Sequence, residues 1–225
     1  MSQLLRRMIN VIKEIARKTI FYDRLVRYRQ GKDVIRWVKG GRSGPTPHLI
    51  KQATIKEYAN KFNIQTLIET GTFMGDMVSG MRDEFDTIIS IELSRNLCRR
   101  AKKKFSGISH VQILEGDSGK LLPSALSSVT KPALFWLDAH CSAGFTEKSD
   151  CETPIRQELE CILNHHITRH VILIDDARCF TGQNDYPSLK ELKETVLRNR
   201  LSFDVEVRED IIRIHHKNNE NLQGH

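Results

Sequence analysis

From residue 64 onward the chain alternates short apolar, β-prone runs with longer stretches whose apolar residues recur at helical spacing. The period-2 and continuous apolar runs predict strands at 65–70, 87–93, 111–117, 133–139 and 169–177. Between them the 3.6-residue pattern predicts helices at about 75–84, 94–105, 118–128, 152–165 and 187–199. Strict alternation of strand and helix predicts an α/β fold, a mostly parallel sheet with helices on both faces. The end of the chain differs. Phe203–Arg208 and Ile211–His215 are two short alternating runs around Glu209-Asp210, which predicts an antiparallel hairpin closing the sheet.

Upstream, Leu4, Leu5, Met8, Ile9, Val11, Ile12, Ile15 and Ala16 fall on one arc of a helix over residues 3–20, with Arg6, Arg7, Lys13, Glu14, Arg17 and Lys18 on the other. Such a basic amphipathic helix can lie on an anionic membrane surface. The alternative, an apolar face packed on the domain or on a second subunit of a homo-oligomer, is preferred because apolar helix faces are usually core. Gly40-Gly41-Arg42-Ser43-Gly44-Pro45-Thr46-Pro47 is the clearest break, so residues 1–47 are expected as a helical extension and 48–217 as the main domain. His48–Phe62 reads as a helix leading into the first strand, and 218–225 as a polar tail.

The main domain is organised around Thr66-Leu-Ile-Glu-Thr-Gly-Thr-Phe-Met-Gly-Asp-Met77. It reads as strand, glycine-bearing turn and helix. Gly71 and Gly75 let the backbone approach a ligand closely, a common way to bind a nucleotide-like cofactor. The turn lacks the Gly-x-Gly-x-x-Gly of nicotinamide enzymes, and the chain has no Gly-x-x-x-x-Gly-Lys-Ser/Thr loop.

Charge changes the picture of the extension more than that of the domain. Residues 1–51 hold thirteen Lys/Arg against Glu14, Asp23 and Asp33, a balance of +10, while the whole chain carries +7. The remainder is therefore near −3, and no nucleic-acid partner is expected. Five widely spread cysteines without a Cys-x-x-Cys pair are expected as reduced thiols in a cytoplasm. A zinc site from His140, Cys141 and Cys151 fits no structural-zinc spacing. No apolar run approaches the roughly 20 residues of a membrane span, and the N-terminus lacks the apolar core of a signal peptide.

In open α/β sheets, ligands bind at the carboxyl ends of the strands. Five predicted strands deliver acids there: Glu69, Glu92, Asp117, Asp138 and the pair Asp175-Asp176. Any one could be a helix cap, but five together exceed what capping explains. Glu92 lies about 20 residues past the glycine turn, where an acid takes a ribose hydroxyl pair. Asp117-Ser118 either contacts a base or caps the next helix. Asp138, Asp175 and Asp176 on adjacent strands would be three carboxylates at one point, a donor set for a hard divalent ion such as Mg²⁺. The alternative is capping, or pairing with Arg178. His140 is either a general base or a loop histidine.

With these residues in place, residues 60–217 resemble a class I S-adenosylmethionine-dependent methyltransferase. Glu69-Thr-Gly71-Thr-Phe73-Met-Gly75 is similar to the family's acid-x-Gly-x-Gly-x-Gly motif, with Phe73 at the middle glycine. The resemblance implies a Rossmann-like sheet of seven strands, the last antiparallel. It also implies a cofactor site made by Glu69, Gly71, Thr72, Gly75, Glu92, Asp117 and Ser118. Phe135-Trp-Leu-Asp-Ala-His140 and Leu173-Ile-Asp-Asp-Ala-Arg178 look most like Mg²⁺-dependent O-methyltransferases of the macrocin, sugar-modifying type. What that implies is Mg²⁺ on Asp138, Asp175 and Asp176, a glycan or polyhydroxylated small-molecule acceptor, and Asp138 or His140 taking its proton. The stretches 141–153 and 178–188, with Phe180, Asp185, Tyr186 and Pro187, would flank the metal as acceptor pocket or lid. Two other readings use the same residues: a metal-dependent hydrolase, and a non-catalytic cofactor-binding partner protein.

Overall fold

The computed structural model describes residues 20–138, 153–183 and 185–217. The expected helix over 3–20, His140, Cys141 and Cys151, the stretch up to residue 152 and the 218–225 tail lie outside the described residues. The chain divides into two compact units, Met1–Lys51 and Gln52–His225.

In the first unit, α1 (Ile20–Lys39) ends at the glycine pair. Gly41 takes φ +76, and the Gly40 and Arg42 amides return to the carbonyls of Arg36 and Trp37, each at 2.9 Å. Glycine supplies the left-handed residue that closes a helix this way. Helix α2 (His48–Phe62) begins at the end of this unit, and its residues from Gln52 onward belong to the second.

The second unit is a seven-stranded sheet: β1 (Thr66–Thr70), β2 (Thr87–Glu92), β3 (Val111–Glu115), β4 (Leu134–Leu137), β5 (Val171–Ile174), β6 (Phe203–Arg208) and β7 (Ile211–His216). Their order is β3-β2-β1-β4-β5-β7-β6. The first five strands pair in parallel, and β7 pairs antiparallel with both β5 and β6. This is the mixed, mostly parallel Rossmann-like sheet that the alternation and the terminal hairpin predict. β4 and β5, each fully buried, are continuous apolar runs, as strands covered on both faces must be.

Helices α3 (Asp76–Met81), α4 (Arg95–Phe105), α5 (Ser118–Leu126), α6 (Ile155–Leu163) and α7 (Leu189–Asn199) connect the strands. Ile68, Ile91, Phe135, Leu137, Ile172 and Ile174 build one core with α5, α6 and α7. Leu67, Ile88, Leu134, Trp136 and Leu173 build the other with residues of α2, α3 and α4. Alternate residues of each strand thus feed opposite cores. Ser188 and Glu191 form a reciprocal capping box at the start of α7.

Several strands are shorter than their apolar runs suggest. β3 stops at Glu115, β4 at Leu137 and β5 at Ile174, so Asp117, Asp138, Asp175 and Asp176 all lie just past the ladder. The carboxylates leave the strand direction there: Asp117 caps α5, and Asp176 turns into the left-handed region at φ +56.

Candidate functional site

Strand order reverses between β1 and β4, which opens a crevice at their carboxyl ends. The glycine turn lies there. Gly71, at φ +88, is packed so closely that a Cβ would stand 2.3 Å from the Asp138 carbonyl oxygen. Only glycine satisfies both demands. One residue earlier, Thr70 O accepts from the Asp138 amide at 3.1 Å. The end of the turn's strand and the first metal-candidate carboxylate are therefore stitched together by backbone.

On one face of β1, Glu69 is buried, and Ser90 Oγ donates to its Oε2. Ser90 in turn lies 2.5 Å from Thr72 Oγ1, which leaves Thr72 as the donor of that bond. Burial pushes the Glu69 carboxyl up to about 8; the Ser90 bond pulls it back, and the charges of Asp138, Glu92 and Asp76 add to the rise. Glu92, also buried, accepts from the Phe73 amide at 2.7 Å through Oε2 and from the Ser94 amide at 2.8 Å through Oε1. Phe73 takes φ +48 with its ring half exposed. Lys104 Nζ holds the far side of the turn, bonding the Met74 and Gly75 carbonyls at 3.0 Å each. At Gly75, φ +69, a Cβ would meet the Phe105 ring at 2.8 Å. Asp117 Oδ1 accepts from the Gly119 amide at 3.0 Å and so caps α5, which begins at Ser118. The structure thus brings Glu69, Gly71, Thr72, Gly75 and Glu92 together around one turn, and places Asp117-Ser118 at the end of β3.

The second half of the site is the cluster Asp138, Asp175 and Asp176. Their ligand oxygens lie within 4.8 Å of one another. Asp175 and Asp176 are buried, and Asp175 Oδ1 accepts from the Asp176 amide at 2.9 Å. Three carboxylate oxygens this close suit a hard cation in both charge and donor type. Arg178 Nη1 also reaches Asp176 Oδ1, at 2.6 Å, and the Asp210 carboxylate. Cation-site geometry and Arg178 pairing, alternatives at the level of sequence, therefore coexist. In the stretch after Arg178, the Phe180 and Tyr186 rings meet edge to face at 5.3 Å, and Thr181 bridges to Ser188.

Two residues of the rim escape sequence reasoning. Glu158 on α6 is fully buried and faces Thr70 and Ser118. Asp210 reaches the rim from the β6–β7 turn. The signal for Glu158 is its position: it shares the spacing of Ile155, Leu159 and Ile162, the apolar stripe of its helix.

No protein-family model matches the chain, and no curated protein matches it. Solved structures do. A protein described as a caffeoyl-CoA O-methyltransferase from Staphylococcus aureus is similar at 13% identity and TM-score 0.56, over 88% of this chain and all of that one. The SAH-bound methyltransferase PaMTH1 of Podospora anserina matches at 17% identity and TM-score 0.54, over 94% and 96%. An O-methyltransferase from Bacillus cereus in complex with SAH matches at 10% identity and TM-score 0.53, over 84% and 90%. At these identities the likeness is one of architecture, and the chain has the fold of these methyltransferases.

Proposed function

We propose that the chain is an S-adenosylmethionine-dependent O-methyltransferase, assisted by Mg²⁺, whose acceptor is a sugar, glycan or other polyhydroxylated small molecule. The observation that carries this reading is the bond from the Asp138 amide to Thr70 O, which sets a three-carboxylate cluster directly beside a glycine turn ringed by buried acids. Similarity of fold to SAH-bound methyltransferases supports the cofactor.

Glu92 would hold the ribose hydroxyls and Asp117 the adenine side, while Gly71 and Thr72 line the methionine side above Glu69. Asp138, Asp175 and Asp176 would hold the metal. Bound there, Mg²⁺ would lower the pKa of an acceptor hydroxyl and orient a vicinal diol. The bound cofactor would supply the methyl group, an O–CH₃ bond forming as the S–CH₃ bond breaks, and Asp138 or His140 would take the hydroxyl proton. Correct alignment of acceptor and cofactor contributes much of the remaining rate.

The test is calorimetric titration of S-adenosylmethionine into the protein and into Glu92→Ala, followed by an acceptor screen of diols and glycans with Mg²⁺ or EDTA. Micromolar binding lost in Glu92→Ala, with Mg²⁺-dependent methylation of a hydroxyl, is the expected result. Absence of cofactor binding in the unmodified protein would overturn the reading.

A further inference from the structure

The end of β1 is flanked by two buried carboxylates on opposite faces of the sheet. Glu69 lies on one face, bonded to Ser90. Glu158 lies on the other, reaching Thr70 from α6. α6 packs closely on the start of α5, since a Cβ on Gly119 would stand 2.4 Å from Gln157 Oε1. Glu158 is 0% exposed. The Ser118 and Thr70 hydroxyls face it and favour its ionised form. Even so, among the described residues no group meets either carboxylate oxygen, or Thr70 Oγ1, at good hydrogen-bond geometry. A buried carboxylate without a full set of partners is costly, so its retention at a ligand crevice points to a charge it serves.

We propose that Glu158 is a positioning residue that reads the charge of the bound cofactor: buried beside the end of β1, it favours a cationic sulfonium ligand over the neutral thioether left after methyl transfer, acting with Thr70 and Ser118. This rests on the cofactor reading above. The chemistry balances simply. The ionised carboxylate stabilises a positive ligand in a low-dielectric site. When the methyl group leaves as part of the acceptor product, the sulfur loses its charge. Glu158 then loses its counter-charge and takes a proton from solvent, so the product is held without the charge attraction that favours the sulfonium ligand.

Burial pushes the Glu158 carboxyl up to about 7, against the pull of the Ser118 and Thr70 hydroxyls. Among the described residues, the charge of Asp117, at the head of α5, adds to the rise. The preference for a cation should therefore grow as pH rises from 6 to 8.

Calorimetry of S-adenosylmethionine and S-adenosylhomocysteine against the unmodified protein and Glu158→Gln, at pH 6 and pH 8, tests this. In the unmodified protein the affinity ratio of the two ligands is expected to shift by about tenfold toward the sulfonium ligand between pH 6 and 8. In Glu158→Gln that shift is expected to disappear, with binding of the thioether little changed. A Glu158→Gln protein that keeps the pH-dependent ratio would overturn the proposal. Should Glu158→Gln not fold, titrations of the unmodified protein in two buffers of different ionisation heat decide: net proton release with the sulfonium ligand but not the thioether supports the proposal, and equal release overturns it. If neither ligand binds the unmodified protein, the cofactor reading itself fails, an outcome distinct from a Glu158→Gln protein that binds both without the expected change.

Discussion

Arg178 and Asp210 lock the turn of the terminal hairpin onto the loop after β5. The Arg178 backbone amide donates to Asp210 Oδ1 at 2.8 Å, and its Nη1 donates to Oδ2 of the same carboxylate. The same guanidinium holds Asp176, so one cation is shared between a candidate metal ligand and the sheet's closing turn.

Arg178→Ala is expected to lower the melting temperature, by an amount corresponding to about 1 kcal/mol, because Asp176 and Asp210 lose the shared guanidinium at a partly exposed position, while Asp210 keeps the backbone amide of residue 178. It is also expected to tighten Mg²⁺ binding several-fold, since a competing positive charge leaves Asp176. A thermal-shift titration with MgCl₂ reads both effects. Weaker Mg²⁺ binding in the variant would show that Arg178 supports the site instead of competing for it.

Without metal, Asp175→Asn should leave stability unchanged or raise it, because it removes one of three like charges held close together. With saturating Mg²⁺ the unmodified protein should gain about 1–3 kcal/mol, and Asp175→Asn little or nothing. Denaturant melts with and without Mg²⁺ make the comparison. An equal gain in both proteins would place the ion elsewhere.

Glu69 makes stability depend on pH in a direction opposite to most acids. Its carboxyl is raised from an ordinary 4.5 to about 8 by burial, so the folded protein holds a proton that the unfolded chain has released. That contribution is fully present below pH 4.5 and is lost as pH rises through about 8. Glu69→Gln should therefore flatten the fall in stability between pH 5.5 and 8. Urea melts at the two pH values would show parallel slopes in both proteins if Glu69 does not titrate this way.

Gly71→Ala is expected to cost about 2 kcal/mol or more, because the residue sits at φ +88 with a backbone oxygen where its Cβ would go. Gly107→Ala is the matched control, with nothing within 4 Å of its Cβ. Similar melting temperatures for the two variants would contradict the close approach of the turn to Asp138.

Much of this architecture is legible along the chain. Continuous apolar runs such as Leu134-Phe-Trp-Leu137 locate central strands, and acids at their ends locate the rim. Gly71 and Gly75 announce a tight turn. Other features are not legible because they depend on distant partners. Asp210 reads as a turn residue, and its bond to Arg178 spans 32 positions of sequence. Glu158 stands on the apolar stripe of its helix, which hints at burial, but its place near Thr70 and Ser118 depends on how α6 packs. Asp117 illustrates the limit of spacing alone, since helix capping and base recognition ask for the same residue at the same place.

The antiparallel course of β7 shapes the crevice. The hairpin sends only the tight turn Glu209-Asp210 to the rim, both residues in the left-handed region. A turn that short cannot be lengthened without resetting the pairing of both its strands. That side of the rim is therefore metrically fixed: Asp210 keeps its place against Arg178 for as long as the two strands keep their pairing.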